Sequence, residues 1–389
     1  MKFLPWDYAV RNLTRSPVRL VLSVAGSVLV VLLLLAAGGF VRGMDKSLNV
    51  SGSDRNVILL GAGSEESFER SEIQPSVPGL AMASIPGIRQ RLGVAYVSPE
   101  VFLMAALKKS VDDMDESHQL LLRGVTPTAF LVHSQARIVE GRAPEAGRDE
   151  IILGSLVGER LGLPPERLAI GQTLAFDKRL FTIVGRFEAP GTVMETEVWL
   201  PLSDLQIAAR RDNLSCVVLT LDNGEIEDVD AFAKTRLDLE LVAMTERNYY
   251  SKLGAFFKPI HAMVWITAVL VASGGLFGGL NTMYAAFASR IREVGSLQVL
   301  GYPRYAIVAS LVQESVLATA AGALLAASIG VFLLNGLTVR FSMGVFGLAI
   351  DSTVLLLGIG AGLLLGLVGA LPPAWRCLRL PISDTLKAF

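Results

Sequence analysis

The sequence predicts an α-helical membrane protein with four transmembrane helices, split one plus three, and a large α+β extracytoplasmic domain inserted between helices 1 and 2. Three observations carry this. Leu20 to Val41 is apolar and uncharged. Three further apolar segments crowd into the last third, at about 260–289, 305–339 and 352–375. The residues between the first and second segments have the composition of an ordinary soluble domain. A bilayer takes about 20 apolar residues per helix, so each segment is long enough to span it. The mean hydropathy of +0.50, with 52% hydrophobic and 18% charged residues, averages two regimes, because nearly all acidic residues fall in the central block.

Placement of charge sets the expected orientation. Lys2, Arg11, Arg15 and Arg19 precede the first segment, Arg290, Arg292 and Arg304 lie between the second and third, and Arg376, Arg379 and Lys387 follow the fourth. Basic residues in short loops mark the cytoplasmic side, and in a four-span arrangement all three clusters fall there. Residues 1–19 are therefore read as a cytoplasmic segment, 20–43 as transmembrane helix 1 and 44–258 as extracytoplasmic. The first segment is expected to remain in place, because its apolar run exceeds the about 7–15 residues of a signal-peptide core.

Within 44–258, Leu180 to Phe187 alternates like a strand, and Ile151 to Gly154 reads as a short buried one. Ser155 to Leu163 reads as a helix closed by Gly162 and Pro164, with further helices over Asp204–Arg211 and Val229–Leu241. The stretch 105–130 reads as an inserted lobe. Its acidic run, Asp112 to Glu116, lacks the Gly and distal Glu of a calcium loop and reads as a solvated tip. His118, His133 and His261 have no metal-ligand spacing, and the topology separates Cys216 from Cys377. No catalytic set, cofactor, metal or nucleic-acid partner is expected, and without a G-x-x-x-x-G-K-[ST] loop the chain is not expected to bind ATP itself.

Small residues mark expected packing faces. Gly274/Gly278 and Gly275/Gly279 form overlapping G-x-x-x-G pairs in the second segment, and Gly358, Gly362 and Gly366 repeat the spacing in the fourth. Such faces let helix backbones approach within a bundle or across a dimer. Glu314 is the charge well inside an apolar segment. It is read as structural, snorkelling or pairing near Arg304, rather than as a proton relay.

The most specific stretch runs from Arg290 to Gly301. Ile291, Val294 and Leu297 form a short apolar stripe at helical spacing, and Gly301 with Pro303 ends the helix. A short amphipathic helix beneath a membrane suits a groove in a partner protein, or lipid. Here the chain resembles the permease family that includes MacB, LolC/LolE and FtsX. The likeness rests on Arg290, Arg292, Glu293, Gly295, Leu297, Leu300 and Gly301, flanked by Asn281 and Glu314-Ser315. Arg11-Asn-Leu13, Arg15, Pro17, Pro373, Arg376 and Pro381 extend it, as do the outer segments Glu140-Gly-Arg142, Glu150 to Gly154, Ile170-Gly171, Phe181 to Gly185 and Val198 to Leu202. Gln298 stands where the family often has Arg.

The resemblance implies that 259–389 is an FtsX-like permease domain and that 290–303 is a coupling helix docking into a separate cytoplasmic ABC ATPase. It further implies a permease homodimer or pseudo-dimer in the bacterial inner membrane, in contact with lipid, and a periplasmic adaptor as partner where an outer membrane exists. The expected function is export or extraction of a lipid, lipoprotein, peptide or drug. The alternative is mechanical regulation of an external enzyme such as a cell-wall hydrolase. A membrane-anchored enzyme and an antibiotic-sensing permease are weaker readings. The first lacks a catalytic set and the second usually carries ten spans.

Overall fold

A computed structural model of the chain describes residues 6–107, 118–177, 179–341 and 344–378. Lys2, the acidic run at 112–116, Arg379, Pro381 and Lys387 lie outside the described residues. The chain opens with α1 (Trp6–Arg15) and α2 (Pro17–Ser51), separated at Ser16 where Pro17 begins the second helix. A sheet region follows, with strands β1 (Asn56–Gly61), β2 (Gln90–Arg91), β3 (Val94–Ala95), β4 (Val97–Leu107), β5 (His118–Val125) and β6 (Arg137–Gly141). It continues through β7 (Glu150–Gly154), β8 (Thr173–Phe176), β9 (Arg179–Glu188), β10 (Val198–Pro201), β11 (Cys216–Thr220) and β12 (Leu241–Thr245). Its helices are short: α3 (Val77–Ser84), α4 (Ala129–Val132), α5 (Val157–Leu161), α6 (Leu202–Ala209), α7 (Ile226–Thr235) and α8 (Glu246–Phe256). The last third holds α9 (Lys258–Ala288), α10 (Ile291–Val299), α11 (Arg304–Ile329), a hairpin of β13 (Thr338–Phe341) and β14 (Gly344–Gly347), and α12 (Ser352–Leu378).

Among the described residues, four helices are long and apolar enough to cross a membrane: Pro17–Ser51, Lys258–Ala288, Arg304–Leu334 and Ser352–Arg376. The third apolar segment, expected to run to Val339, leaves the helix sooner. A π turn closes α11 at Leu334, Gly336 takes φ +80°, and the β-branched Thr338 and Val339 pair with Gly347 and Phe346.

The chain divides into two compact units. The first contains residues 1–43, 259–337 and 348–389. Here α2, α11 and α12 share a core of Val31, Leu35, Ala323, Ala326, Ile350 and Val354. Gly358, Gly362 and Gly366 make the close approach possible: a Cβ on Gly362 would sit 2.7 Å from that of Ala323, and the other two face Leu35 and Thr319. In α9 Gly275 meets Val30, whereas nothing stands within 4 Å of a Cβ placed on Gly274, Gly278 or Gly279.

The second unit holds residues 44–258 and the hairpin residues 338–347. Its ten-stranded mixed sheet runs β12-β1-β11-β4-β5-β10-β7-β9-β6, with β8 on β9. The stretch expected as an inserted lobe is instead central sheet where it is described: β4 and β5 pair antiparallel from Val101↔Gly124 to Leu107↔His118. The helix expected over Val229–Leu241 starts earlier, where Glu225 and Asp228 form a capping box, and ends at Thr235. Glu240 at φ +47° then turns the chain into β12, which pairs with β1.

Period-two alternation divides the sheet faces between two cores. Val198 and Leu200 of β10 enter one core with Leu120, Leu122, Ile151 and Leu153, while Trp199 enters the other with Ile152 and Phe187. The ladders set Phe102, Arg123 and Trp199 side by side across β4, β5 and β10. Arg123, 1% exposed, therefore lies over both rings, 4.4 Å from Phe102 and 5.3 Å from Trp199. It also pairs with Glu100 at 3.3 Å and Glu197 at 3.4 Å, and His133 meets Glu100 at 2.7 Å. Ser98 and Trp199 donate to Glu100 and Glu197. Buried charges need such partners.

Burial opposes the Glu100 charge, but Arg123 and His133 overcome it and hold its pKa at about 2, against an ordinary 4.5. Glu246 goes the other way: burial raises its pKa despite His133 nearby. The folded state thus binds a proton at Glu100 less readily than the unfolded chain does. Its stabilisation is complete above pH 4.5 and disappears as pH falls towards 2. Thermal unfolding across that window should show a steeper loss of midpoint in wild type than in Glu100→Gln. Parallel losses would contradict the assignment.

Candidate functional site

The candidate site forms in the first unit where α10 joins the helices around it. Arg290 occupies the N-cap position of α10, and Gly301, at φ +86°, ends the turn after it before Pro303 starts α11. A left-handed backbone at this point favours glycine. The helix is held inward by Val294, which is buried with Met283, Phe287, Ile307, Leu311, Ala370 and Ala374. Gly295 is buried beside it. Val294 and Leu297 of the stripe read from sequence as suited to a partner groove or lipid therefore pack into the bundle, with Val294 3% exposed, while Ile291 is partly exposed. The opposite face carries Arg292, Ser296, Val299 and Leu300, and the last two are 64% and 69% exposed. Their spacing of four, then three or four residues places them on one side of the helix.

Charge fastens α10 as well. Arg290 donates to Glu314 of α11 at 2.8 Å and to Glu293 of α10 at 2.9 Å. Arg19 of α2 donates to the other Glu314 oxygen, and Arg15 of α1 reaches Glu293 at 3.4 Å. Side-chain exposures of 6% for Glu314, 14% for Arg290 and 16% for Arg19 make this a buried triad, whereas the Arg15–Glu293 link lies at the surface. Glu314, read from sequence as structural and placed near Arg304, pairs with Arg19 and Arg290. Burial opposes the Arg290 charge, but the carboxylates of Glu314 and Glu293 more than offset it and raise its pKa.

Sequence reasoning marked Arg290 and Glu314 separately and missed both their union and the part of Arg19. A carboxylate inside an apolar helix needs a cation, and Arg19, Arg290 and Arg304 are all within sequence reach of one membrane face. Only the fold selects among them. The site contains no nucleophile with a base, and among the described residues no group of His, Cys, Asp and Glu could hold a metal ion. The arrangement can position a helix and transmit force through it.

Comparisons with known proteins identify the family. Residues 20–234 match the profile of the MacB-like periplasmic core domain, and residues 265–382 that of the FtsX-like permease C-terminal domain. The chain belongs to the MacB/FtsX-like family of ABC transporter permeases. Membership makes it a transporter-type permease subunit and implies a cytoplasmic ATPase partner. Among solved structures it is similar to the periplasmic region of MacB from Actinobacillus actinomycetemcomitans, at 12% identity and TM-score 0.38, over 54% of this chain and 97% of that one. It is also similar to the extracellular domain of the noncanonic ABC-type transporter YknZ from Gram-positive bacteria, at 13% identity and TM-score 0.37, over 49% and 98%. No curated protein matches the chain.

Glu314→Gln leaves two part-buried guanidinium groups without their shared carboxylate, at a cost of about 1–3 kcal/mol. In a double-mutant cycle with Arg290→Gln, measured by chemical unfolding in micelles, the two losses should fall short of additivity by about 1–3 kcal/mol. Strict additivity would show that the pair does not couple.

Proposed function

We propose that the chain is the membrane subunit of an ABC transporter that relays ATP-driven motion from a separate cytoplasmic ATPase to its own sheet domain across the membrane, for export or extraction of an amphiphilic cargo such as a lipid, lipoprotein, peptide or drug. The four apolar helices are its spans, both termini and α10 are cytoplasmic, and residues 44–258 are extracytoplasmic. ATP stays with the partner chain, and two permease chains work as a dimer in the inner membrane, with a periplasmic adaptor where an outer membrane exists.

The observation that carries this reading is the double attachment of α10, by Val294 packing and by the Arg290–Glu314–Arg19 triad. A push on the outer face of a helix so held moves α2 and α11 with it rather than bending the loop. Connectivity extends the path. Helix α2 runs unbroken from Pro17 to Ser51 and enters the sheet unit at Met44, and the segment after α11 supplies that unit's β13–β14 hairpin. Interfaces that shift as rigid elements are a common way to transmit such motion.

Glu293 is engaged within the chain, so the exposed face of α10 is the cleaner place to test docking. Leu300→Asp in a tagged full-length chain should lose the co-purifying ATPase, and the ATP hydrolysis that accompanies it, while keeping the wild-type thermal midpoint. An adaptor in the wild-type eluate supports export, and a cell-wall hydrolase in its place would replace export with mechanical regulation. Retention of the ATPase by the variant would overturn the docking face.

A further inference from the structure

A cavity of about 110 Å³ lies within the sheet unit and shares Met44, Phe102, Glu197 and Phe346 with the features already described. Its walls come from the last turns of α2, from β4, from α8 and from the β13–β14 hairpin. Seven of its lining residues are aromatic, and one side is a stack: Phe68 lies 4.5 Å from Phe102 and 3.9 Å from Tyr249, centre to centre. The protein's own Arg123 occupies the Phe102 ring of this stack, which leaves the rings of Tyr250, Phe257, Phe341 and Phe346 on the other walls. Tyr250, 4% exposed, also lines the cavity.

The charge at the cavity is one-sided. Glu66, Glu69 and Glu197 line it, and no Lys or Arg does. Glu197 is paired with Arg123 and accepts from Trp199. Glu69 is half-buried, and neither it nor the exposed Glu66 has a side-chain ion pair among the described residues. The nearby Arg211 is committed to the Glu69 and Ser71 carbonyls instead. Burial accordingly raises the Glu69 pKa, with Arg70 only partly opposing it. Aromatic faces combined with unpaired carboxylates at one cavity recognise an ammonium on an apolar body, by cation–π attraction and ion pairing together.

We infer that this cavity binds a small hydrophobic ammonium group, with its apolar part among Phe68, Phe102 and Tyr249 and its charge at Glu69. The volume is below the 150 Å³ or so of an apolar cavity that accommodates benzene, so it takes at most one ring or a short alkyl stretch, the recognition end of a larger molecule. The inference goes beyond the transport reading and does not need an ATPase, so either can fail alone.

The test is calorimetric titration of the full-length chain in maltoside micelles with benzyltrimethylammonium and with neopentylbenzene, its uncharged isostere. Saturable binding of the cation, about tenfold tighter than the isostere and weakened about tenfold by Glu69→Gln, is the expected result. A thermal midpoint equal to wild type confirms that the variant is folded, and Phe346→Ala, at another wall, should weaken both probes alike. Displacement of the probe by phosphocholine assigns the ammonium to a lipid headgroup, and failure to displace assigns it to a free amine. Equal affinity for the two probes, an unchanged Glu69→Gln titration, or no saturable binding would overturn the inference.

Discussion

A carboxylate placed in the apolar α11 helix must find positive charge, and this requirement organises the membrane unit. Glu314 meets it with Arg19 from α2 and Arg290 from the start of α10, so one buried anion ties α11 to the neighbouring α10 and to the sequence-distant α2. Removing ions from water is expensive, and the geometry is satisfied only when all three elements are in place. The triad therefore works as a register mark. Fixed registry is a well-attested use of buried charge, and here it sets the position of helix α10.

Packing follows the same logic on the lipid-facing side. Helices gain little from hydrophobic burial against one another in a bilayer, so close approach has to come from small residues. Gly358, Gly362 and Gly366 provide it for α12, and Gly322 does so where α11 meets α2 at Ser27. In α9 only Ala268, Met283 and Phe287 are buried. That helix contributes its lower end to the core around Val294 and leaves Gly274, Gly278 and Gly279 facing open space in the single chain. The bundle is thus firm around α2, α11 and α12, and α10 is attached to that firm part by Arg290.

Much of this was legible in the chain because the strongest sequence signals are those a membrane imposes. Long uncharged runs, and the glycine spacing of α12, translate directly into helices and close contacts. Strand β9 was equally plain from the alternation in Leu180 to Phe187, and the left-handed Gly162 did close the short helix before it. Where the reading went astray, non-local pairing overrode local pattern. Thr338 and Val339 continue an apolar run, yet they become a hairpin strand because Gly336 reverses the chain and Phe346 and Gly347 offer a ladder. The stretch after Thr235 becomes β12 because β1 needs an edge partner. Polar residues were the least legible. Glu100, Arg123 and Glu197 look like surface charges in sequence, and only the register of β4, β5 and β10 shows that they are buried and mutually compensating. Likewise, amphipathicity identified α10 but could not say whether its apolar stripe met the bundle or a partner.

The central claim is that Glu314 holds α10 to the bundle. Hydrogen exchange of the backbone amides of 291–299 in the full-length chain tests it most directly, with wild type compared to Glu314→Gln and the α12 amides as internal reference. Slow exchange across α10 in wild type, and a selective loss of protection there in the variant, is the predicted result. Equal protection of α10 in both proteins would mean that Val294 packing alone positions the helix, and the account built on the triad would fall.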